Sequence, residues 1–542
     1  MKVASVGILE AETLCEVLDR QALTLGESPF IACDEETLSY AGLRERSLCL
    51  AEGLRQLGLR QGDRIAMLSE NSLAVVESFF ACSRLGLVEV PLNIYLRGEF
   101  LRFQLEDSGC VAAIVDLPGL EAIRALDPPV EFDHLIVIED IETDRATVPY
   151  WELIEADPLS AAPELSAADM AAIIYTSGTT GMPKGCMIPH GMFTRASQLF
   201  EELGYIRPGD RVLSPAPMFH IGFLGAHLAG SLRSGAWLRS MRRFSASTFM
   251  RTAREVGATV IYALGPNGML LLAQPPSTSD GDPGALRLAL FPPMAPESQR
   301  EFERRFGVPV VAESYGQTEC MPITASGLEG SRQPGSAGPP ISTVEVAIVD
   351  DDDRQLPPDQ VGEIVVRPRL ANMMFKGYWN NPVATLETER NLWHHTGDLG
   401  RQSADGTIWI IDRKKDSIRR RGENVSSLEL EAAIGKFPAV REVAVHAVPS
   451  SMGEDEIKAC IVARSQVEPE ELFSFFKASL PYFAVPRYVE LMDELPVTAV
   501  GRVRKQALRE RGITEATWDF EALGLVVSRD ERRASNRRAT GD

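Results

Sequence analysis

The sequence predicts an α/β protein with a large N-terminal domain of mixed α/β subdomains and a smaller C-terminal α+β domain. Its 542 residues exceed what one hydrophobic core normally organises. Up to about residue 340, helix-like segments alternate with short apolar runs, the rhythm of sheets covered by helices. From about residue 342 the pattern changes to short strands and turns, so a different kind of unit follows.

The N-terminal elements follow from hydrophobic spacing. Residues 43–59 have helical spacing, residues 63–69 form a buried strand, and residues 75–92 form a helix that runs into another strand. Further strands are predicted at 111–116, 171–175, 210–217 and 258–264.

The C-terminal elements begin with strands in VEVAIVD, GEIVVRP and GTIWIID. The acidic run at 350–353 is interpreted as a solvated hairpin turn and not as a metal site, because two prolines follow at once. A new unit starts within 412–427 and continues as one helix and two strands to about 512. The expected domains are 1–412 and 413–512, with 513–542 as a tail whose last part is disordered.

Composition excludes several classes of protein. The net charge of −21 is spread along the chain, which argues against a nucleic-acid-binding protein. The eight cysteines are scattered without metal-ligand spacing, which favours reduced thiols in a cytoplasmic protein. The N-terminus lacks the apolar core of a signal peptide, and no run approaches the roughly 18 apolar residues of a membrane span.

The stretch YTSGTTGMPKGCMIPH at 175–190 is the most specific motif. Thr176 to Gly181 contains four hydroxyl side chains and two glycines, and Lys184 follows. Glycines expose backbone N–H groups, hydroxyls donate hydrogen bonds and lysine neutralises charge, so the composition suits a polyphosphate. The order of residues is not that of a Walker A loop. A flexible surface loop is the alternative for such a composition, but the order T-S-G-T-T-G-x-P-K-G is more specific than composition.

This motif resembles that of the adenylate-forming superfamily, which includes acyl-CoA synthetases, adenylation domains of peptide synthetases and firefly luciferase. The resemblance extends from about 25 to 512, and RRRGENVSSLELE and LRERGITEATWDF look most like crotonobetaine/carnitine-CoA ligase-type enzymes. The resemblance implies two reactions at one site. A carboxylate first attacks the ATP α-phosphate, giving an acyl-adenylate and pyrophosphate, and a thiol then takes the acyl group and releases AMP. It also implies a C-terminal domain that is a mobile lid.

The resemblance assigns the phosphate contacts to the loop and to Lys184. The implied phosphate-binding residues are Thr176, Ser177, Gly178, Thr179, Thr180, Gly181 and Lys184. In ESYGQTE at 313–319, Tyr315 could stack on a purine and Thr318 could contact phosphate. Glu319 and Thr176 are the expected Mg²⁺ ligands, since Mg²⁺ prefers hard oxygen donors. Alone, the heptad is also compatible with an ordinary turn.

Further motifs follow in the family's order. In HHTGDLG at 394–400, Asp398 would accept the ribose hydroxyls, although an aspartate after glycine also commonly caps a turn. Arg413 would lie near the ribose and α-phosphate, Lys415 at the domain hinge, and Gly422 along the pantetheine tunnel of coenzyme A. The alternative for the basic run KKDSIRRR is a solvated surface, and Arg419 to Arg421 could equally be solvated or contact the phosphates of coenzyme A.

The C-terminal motif departs from the family at Arg502. Relatives carry a lysine directly after Gly501, where it reaches the α-phosphate during adenylation. Arginine keeps the charge but has a planar, forked head, so the exchange is not conservative. Either Arg502 acts in its place, or Lys505 reaches in after a shift of register, or adenylation is impaired and the protein only binds nucleotide.

The acyl pocket is the least defined part of the sequence. His220 stands where the family's acyl pocket begins, as a gate or positioning group or as a packed core histidine. Residues 262–269, Phe291 and Met294 are expected to form the rest of a mostly apolar cavity. No aspartate stands near His220 to hold an α-amine, which disfavours an amino acid substrate. Phe291 and Met294 belong to a segment where many relatives carry glycines, and this weakens substrate inference by analogy.

The combined prediction is an AMP-forming carboxylic acid–CoA ligase that uses ATP, Mg²⁺ and coenzyme A. The catalytic residues are expected to be Arg502, Lys184, Glu319 and His220. The rivals are an acyl-adenylate ligase that loads a carrier protein, a luciferase-like oxygenase and a nucleotide-binding protein without adenylation activity. The sequence leaves the acid and the oligomeric state open, a homodimer being one option.

Overall fold

The structure is a computed structural model of the whole chain. It describes residues 12–139, 147–176, 182–278, 280–328, 332–414, 418–420, 423–425, 427–449, 455–480, 484–497 and 503–527. Within these ranges, no helix is both long and apolar enough to cross a membrane. All eight cysteines are free and buried.

The first part of the chain alternates strands and helices as the sequence predicts. Its strands are β1 Pro29–Cys33, β2 Glu36–Ser39, β3 Arg64–Leu68, β4 Val88–Pro91, β5 Ala112–Val115, β6 His134–Val137, β7 Thr147–Pro149, β8 Met170–Thr176 and β9 Lys184–Pro189. Its helices are α1 Leu14–Leu25, α2 Tyr40–Gln56, α3 Leu73–Leu85, α4 Gly98–Ser108, α5 Leu117–Arg124 and α6 Tyr150–Ile154.

A second α/β region follows. Its strands are β10 Arg211–Ser214, β11 Trp237–Ser240, β12 Val260–Tyr262, β13 Leu288–Leu290 and β14 Val310–Val311. Its helices are α7 His190–Glu202, the π-helix Phe223–Leu228, α8 Ala229–Ser234, α9 Ala246–Glu255, α10 Gly265–Leu272 and α11 Pro296–Phe306.

These regions form two seven-stranded sheets. One sheet has the strand order β14-β13-β12-β10-β11-β1-β2, and the other has the order β7-β6-β5-β3-β4-β8-β9. In each sheet, neighbouring strands are parallel except at one edge, where β2 or β9 runs antiparallel to its neighbour. Side chains of both sheets meet α3 and α7 in one core, while α4 and α5 cover the outer face of one sheet and α9 and α11 that of the other. The N-terminal domain is therefore layered as helix, sheet, helix, sheet and helix.

A mainly antiparallel region follows the two sheets. It contains β15 Ser314–Gln317, β16 Cys320–Ala325, β17 Val344–Val349, β18 Gly362–Pro368, α12 Pro382–Thr388, β19 Glu389–Arg390, β20 Trp393–Gln402 and β21 Ile408–Arg413. Strands β15 and β16 form a hairpin, and the other five form one sheet. The acidic run is a turn as predicted, because a side-chain oxygen of Asp350 accepts the N–H groups of Asp352 and Arg354, both at 2.9 Å.

The C-terminal elements form a small α+β unit. They are β22 Ile418–Arg420, β23 Glu423–Val425, α13 Ser427–Ile434, β24 Val440–Pro449, β25 Asp455–Ala463, α14 Pro469–Ser479, β26 Tyr488–Leu491, α15 Lys505–Arg511 and β27 Thr517–Asp519. The folded part continues past residue 512, the end expected from the sequence. Strand β27 pairs with β26, and Phe520 is buried in the unit's core, because Trp518 and Phe520 add apolar surface that the core can bury.

A contact between β21 and α13 joins this unit to the preceding sheet. Asp412 is buried, and one of its carboxylate oxygens accepts both the backbone N–H of Ser427 at 2.6 Å and its hydroxyl at 2.8 Å. These two bonds hold the first residue of α13 against the end of β21.

One carboxyl group, that of Glu89, lies deep in the core. Glu89 lies in β4 between β3 and β8, it is almost completely buried, and neither of its oxygens has a hydrogen-bond partner among the described residues. Burial raises the pKa of Glu89 to about 8, because an ionised carboxylate is costly in apolar surroundings.

Candidate active site

The predicted phosphate loop connects two paired strands. Thr176, the last residue of β8, is the register partner of Lys184, the first residue of β9, and the Thr176 hydroxyl donates to the Lys184 carbonyl at 3.4 Å. The loop therefore starts and ends at one point on the sheet edge. Five predicted phosphate contacts lie outside the described residues, namely Ser177, Gly178, Thr179, Thr180 and Gly181.

The predicted metal ligand Glu319 lies in a tight turn. Gln317 pairs with Cys320, so Thr318 and Glu319 are the two residues at the tip of the β15–β16 hairpin. One side-chain oxygen of Glu319 accepts the Tyr378 hydroxyl at 2.7 Å. The structure thus fixes the carboxylate by a tyrosine that the sequence reasoning missed.

A buried thiol connects the two expected Mg²⁺ ligands. Burial raises the pKa of Cys186 well above its ordinary value. The negative charge of Glu319 and a hydrogen bond with it raise this pKa further, whereas a hydrogen bond with Thr176 lowers it. Cys186 is thus a neutral thiol between these two side chains. Thr176 and Glu319 therefore both lie close to the Cys186 thiol.

This donor set fits a metal ion that is held mainly by its substrate. Among the residues the structure describes, no group of three or more His, Cys, Asp or Glu side chains could hold a metal. Mg²⁺ keeps several waters and is commonly bound by one or two carboxylates together with nucleotide phosphates. One carboxylate at Glu319 and one hydroxyl at Thr176 match that mode and do not match a metal cage made only of protein ligands.

A second cluster surrounds Asp398, which is nearly completely buried. One carboxylate oxygen pairs with Nε of Arg413 at 2.7 Å. The other accepts Nε2 of Gln317 at 2.7 Å and also the hydroxyl of Tyr315. Burial raises the pKa of Tyr315, and the adjacent Asp398 charge raises it further, so the phenol stays a proton donor. Tyr315 and Arg413, each predicted from a different motif, therefore meet at the carboxylate of Asp398, which a third motif predicts.

Strand register explains why these residues meet. Asp398 on β20 and Arg413 on β21 are direct register partners. Within β20, the backbone just before Asp398 is held by Thr396, whose hydroxyl donates to the carbonyl of Ile364 at 2.7 Å and accepts the Asp398 N–H at 3.1 Å. Asp398 and Arg413 are therefore positioned mainly by backbone pairing.

Gly338 allows a close backbone approach behind the Tyr315 strand. Its φ is +83°, and a Cβ at this position would lie 2.9 Å from both the Glu313 carbonyl oxygen and the Ser326 nitrogen. Its carbonyl accepts the N–H of Ile408 at 3.0 Å. Only glycine fits position 338 without strain. The close approach at Gly338 joins the ESYGQTE segment to β21.

His220 lies between β10 and the π-helix. Its Nδ1 accepts the backbone N–H of Gly222 at 3.0 Å, so the neutral ring carries its proton on Nε2. The loop before it is held by Asn71, which donates to the carbonyls of Ala216 and Met241, both at 2.9 Å, and accepts the N–H of Met218 at 2.8 Å. Asn71 was not found by sequence reasoning, because it lies more than 140 residues away along the chain.

The expected acyl-pocket segments do pack together, but Phe291 does not face a cavity. A Cβ on Gly265 would overlap the Pro293 carbonyl oxygen at 1.6 Å, so the two segments touch closely. Phe291 is fully buried, and its ring centroid is 4.9 Å from that of Phe302. Phe291 is therefore a core residue, because α11 covers it, and the prediction that it lines the pocket is wrong. Met294, also buried, belongs to the same core.

The remaining predictions fall on residues outside the described ranges. These are Arg502, Gly422 and the hinge residue Lys415. The proposed substitute Lys505 is described, and its ammonium contacts the Ser427 hydroxyl at 2.5 Å and the Glu431 carboxylate at 2.8 Å. In this structure Lys505 is engaged within the C-terminal unit.

A polar loop that leaves the end of a sheet strand, with carboxylates and cations close by, is an arrangement in which α/β proteins commonly bind ligands. Two family profiles that match the chain identify the class of enzyme to which it belongs. The profile described as AMP-binding enzyme matches residues 18–379, and the profile described as AMP-binding enzyme C-terminal domain matches residues 429–502. The chain belongs to the AMP-binding enzyme family.

Similar curated proteins are acid–CoA ligases. Feruloyl-CoA synthase of Amycolatopsis sp is 32% identical over 483 residues, which cover 88% of this chain and 94% of that protein. Crotonobetaine/carnitine–CoA ligase of Salmonella enteritidis is 30% identical over 486 residues, covering 87% and 93%. The chain is accordingly an AMP-forming acid–CoA ligase.

Solved structures agree with this classification. The chain resembles ATP-bound MatB from Rhodopseudomonas palustris with a TM-score of 0.81 and 26% identity, over 92% of this chain and 98% of that one. It resembles the o-succinylbenzoate CoA synthetase of Bacillus subtilis in complex with its acyl-adenylate intermediate with a TM-score of 0.80 and 28% identity, over 92% and 99%. The mixed α/β fold with a smaller C-terminal domain is thus confirmed.

Proposed function

We propose that ATP binds with its adenosine at the Asp398 cluster and its phosphates at the loop between β8 and β9. The meeting of Tyr315, Asp398 and Arg413 carries this proposal. An adenine stacked on Tyr315 would place the attached ribose near Asp398, whose carboxylate can accept both ribose hydroxyls. Arg413 would then lie close to the ribose and the α-phosphate and balance their negative charge.

The phosphate end is assigned to the loop residues, Lys184 and Glu319. Lys184 offers a cation for the β- and γ-phosphates, and Thr318 lies beside Glu319 in the turn. Glu319 and Thr176 would hold Mg²⁺, which when bound neutralises charge on the phosphate oxygens. Pyrophosphate would leave on this side, so the protein's contribution is positioning and charge stabilisation.

Arg502 is proposed as the cation that stabilises the α-phosphate during adenylation. Its assignment rests on its place directly after Gly501 in the C-terminal motif. The engagement of Lys505 by Glu431 favours Arg502 over the register-shifted alternative. Gly422 would line the path of the coenzyme A thiol, which attacks the acyl-adenylate after the C-terminal unit has turned about Lys415.

The proposed substrate is a carboxylic acid with an apolar body. The segment from residue 262 begins with Tyr262, whose ring stacks on that of His227 at 3.8 Å, and its helix carries the apolar side chains of Met269 and Leu270. His220 would position the carboxylate near the α-phosphate. Among the similar proteins, the feruloyl-CoA synthase is named for an aromatic acid. The free, buried state of the eight cysteines supports a cytoplasmic location.

The test is a two-step assay with a pooled panel of carboxylic acids. Purified protein is incubated with ATP, Mg²⁺ and the panel, with and without coenzyme A, and pyrophosphate, AMP and thioesters are measured by mass spectrometry. Acid-dependent pyrophosphate without coenzyme A, and a thioester with it, are expected. Adenylate that is passed only to an added carrier protein would refute coenzyme A as the acceptor. Bound ATP with no pyrophosphate for any acid of the panel would contradict the adenylation step.

A further inference from the structure

A short extended segment touches both parts of the phosphate end of the site. Residues 375–379, here called the bridging segment, run beside β9. The N–H of Lys376 donates to the Met187 carbonyl at 2.8 Å, and the N–H of Trp379 donates to the Gly185 carbonyl at 2.7 Å. At its other end, the N–H of Phe375 donates to the Glu319 carbonyl at 2.9 Å. The segment therefore fixes the distance between β9 and the Glu319 turn.

The side chain of Tyr378 in this segment makes one contact to each part. Its hydroxyl donates to a carboxylate oxygen of Glu319 at 2.7 Å. Its ring faces Lys184, whose Nζ lies 4.7 Å from the ring centroid. One side chain thus contacts both the expected metal ligand and the expected phosphate lysine.

We propose that Tyr378 is a positioning residue that orients Glu319 for Mg²⁺ and holds Lys184 at the phosphates. The inference rests on the proposed function. A hydrogen bond to one carboxylate oxygen fixes the plane of the carboxylate and so directs its remaining lone pairs. The ring face attracts the ammonium and keeps it near one position when phosphate is absent.

The surroundings of Tyr378 make it suited to this task. The backbone N–H donates to the Thr385 hydroxyl at 2.9 Å, and the ring packs edge-on against Phe375 at 5.0 Å between centroids. The ring therefore has little freedom to leave either contact.

The experiment measures ATP affinity by calorimetry in the absence of acid, with Mg²⁺ or with a chelator. Tyr378→Phe removes only the hydroxyl, and we expect it to weaken Mg²⁺-dependent ATP binding about tenfold while ATP binding without Mg²⁺ is unchanged. Tyr378→Leu also removes the ring face, and we expect ATP binding without Mg²⁺ to weaken by about two- to fivefold in addition. The matched control is Tyr150→Phe, because the Tyr150 hydroxyl donates to Glu77 at the same 2.7 Å in the core.

The outcomes separate positioning from general stability. In a Glu319→Gln background, Tyr378→Phe should cause no further loss of Mg²⁺ dependence, because the hydroxyl acts through Glu319. If wild type and Tyr378→Phe show the same Mg²⁺ dependence of ATP binding, the inference about Tyr378 is wrong but the proposed function stands. The same conclusion follows if Tyr150→Phe loses as much Mg²⁺-dependent ATP affinity as Tyr378→Phe. A wild-type protein that binds no ATP refutes both this inference and the proposed function.

Discussion

Replacing Glu89 by glutamine should change how stability depends on pH. The folded protein keeps the Glu89 carboxyl protonated up to about pH 8, whereas the unfolded chain releases this proton near pH 4.5. Between these values the folded state binds more protons, so the free energy of unfolding falls as pH rises through this window and then levels off. Each pKa unit corresponds to about 1.4 kcal/mol, so the total loss approaches about 5 kcal/mol.

The assay is denaturant unfolding of wild type and Glu89→Gln at pH 5.5, 7 and 8.5, conditions chosen within and just above that window. Glutamine cannot ionise, so the variant should gain stability over wild type as pH rises. Comparing the two proteins removes the shared contribution of buried histidines such as His227, whose pKa burial lowers to about 3. A stability difference that stays constant across this range would show that Glu89 ionises normally in the folded state and would refute the reasoning.

Three further changes test the site. Asp398→Asn leaves Arg413 without its ion pair, so the KM for ATP should rise at least tenfold, and an unchanged KM in steady-state kinetics would contradict the ribose assignment. Gly338→Ala forces a Cβ against two backbone atoms at positive φ, so thermal unfolding should show a loss of about 2 kcal/mol or more; a normal melting temperature would disprove the close approach. Arg502→Ala should abolish acid-dependent pyrophosphate release but leave thioester formation from supplied acyl-adenylate intact, and full adenylation would exclude Arg502 as the catalytic cation.

Sequence patterns predicted most of the fold because its elements are strongly periodic. The helix expected at 43–59 is α2 Tyr40–Gln56, and the strand expected at 63–69 is β3 Arg64–Leu68. The C-terminal unit extends beyond residue 512, the limit expected from the sequence. Strand β27 is only three residues long and depends on pairing with β26, and such non-local pairing leaves little trace in local sequence.

The site residues that were missed act across long stretches of chain. Tyr378 is 59 residues from Glu319, and a Gly-Tyr-Trp sequence by itself indicates only an aromatic turn. Gln317 lies inside the ESYGQTE segment, but its contact with Asp398 depends on how the β15–β16 hairpin meets the five-stranded sheet. Phe291, by contrast, was predicted to line the pocket but lies in the core, because one sequence cannot distinguish a pocket wall from a core residue that α11 covers.

The neighbouring residues Asp412 and Arg413 link the Asp398 cluster to the next part of the chain. Successive side chains of a strand point to opposite sides, and here one side holds Asp398 while the other holds the start of α13. A rotation of the C-terminal unit that keeps the Asp398–Arg413 pair and moves α13 away from β21 would break both bonds between Ser427 and Asp412. If the C-terminal unit rotates as proposed, strand β21 would keep its place in the sheet, and breaking the two bonds between Asp412 and Ser427 would add to the free-energy cost of the rotation.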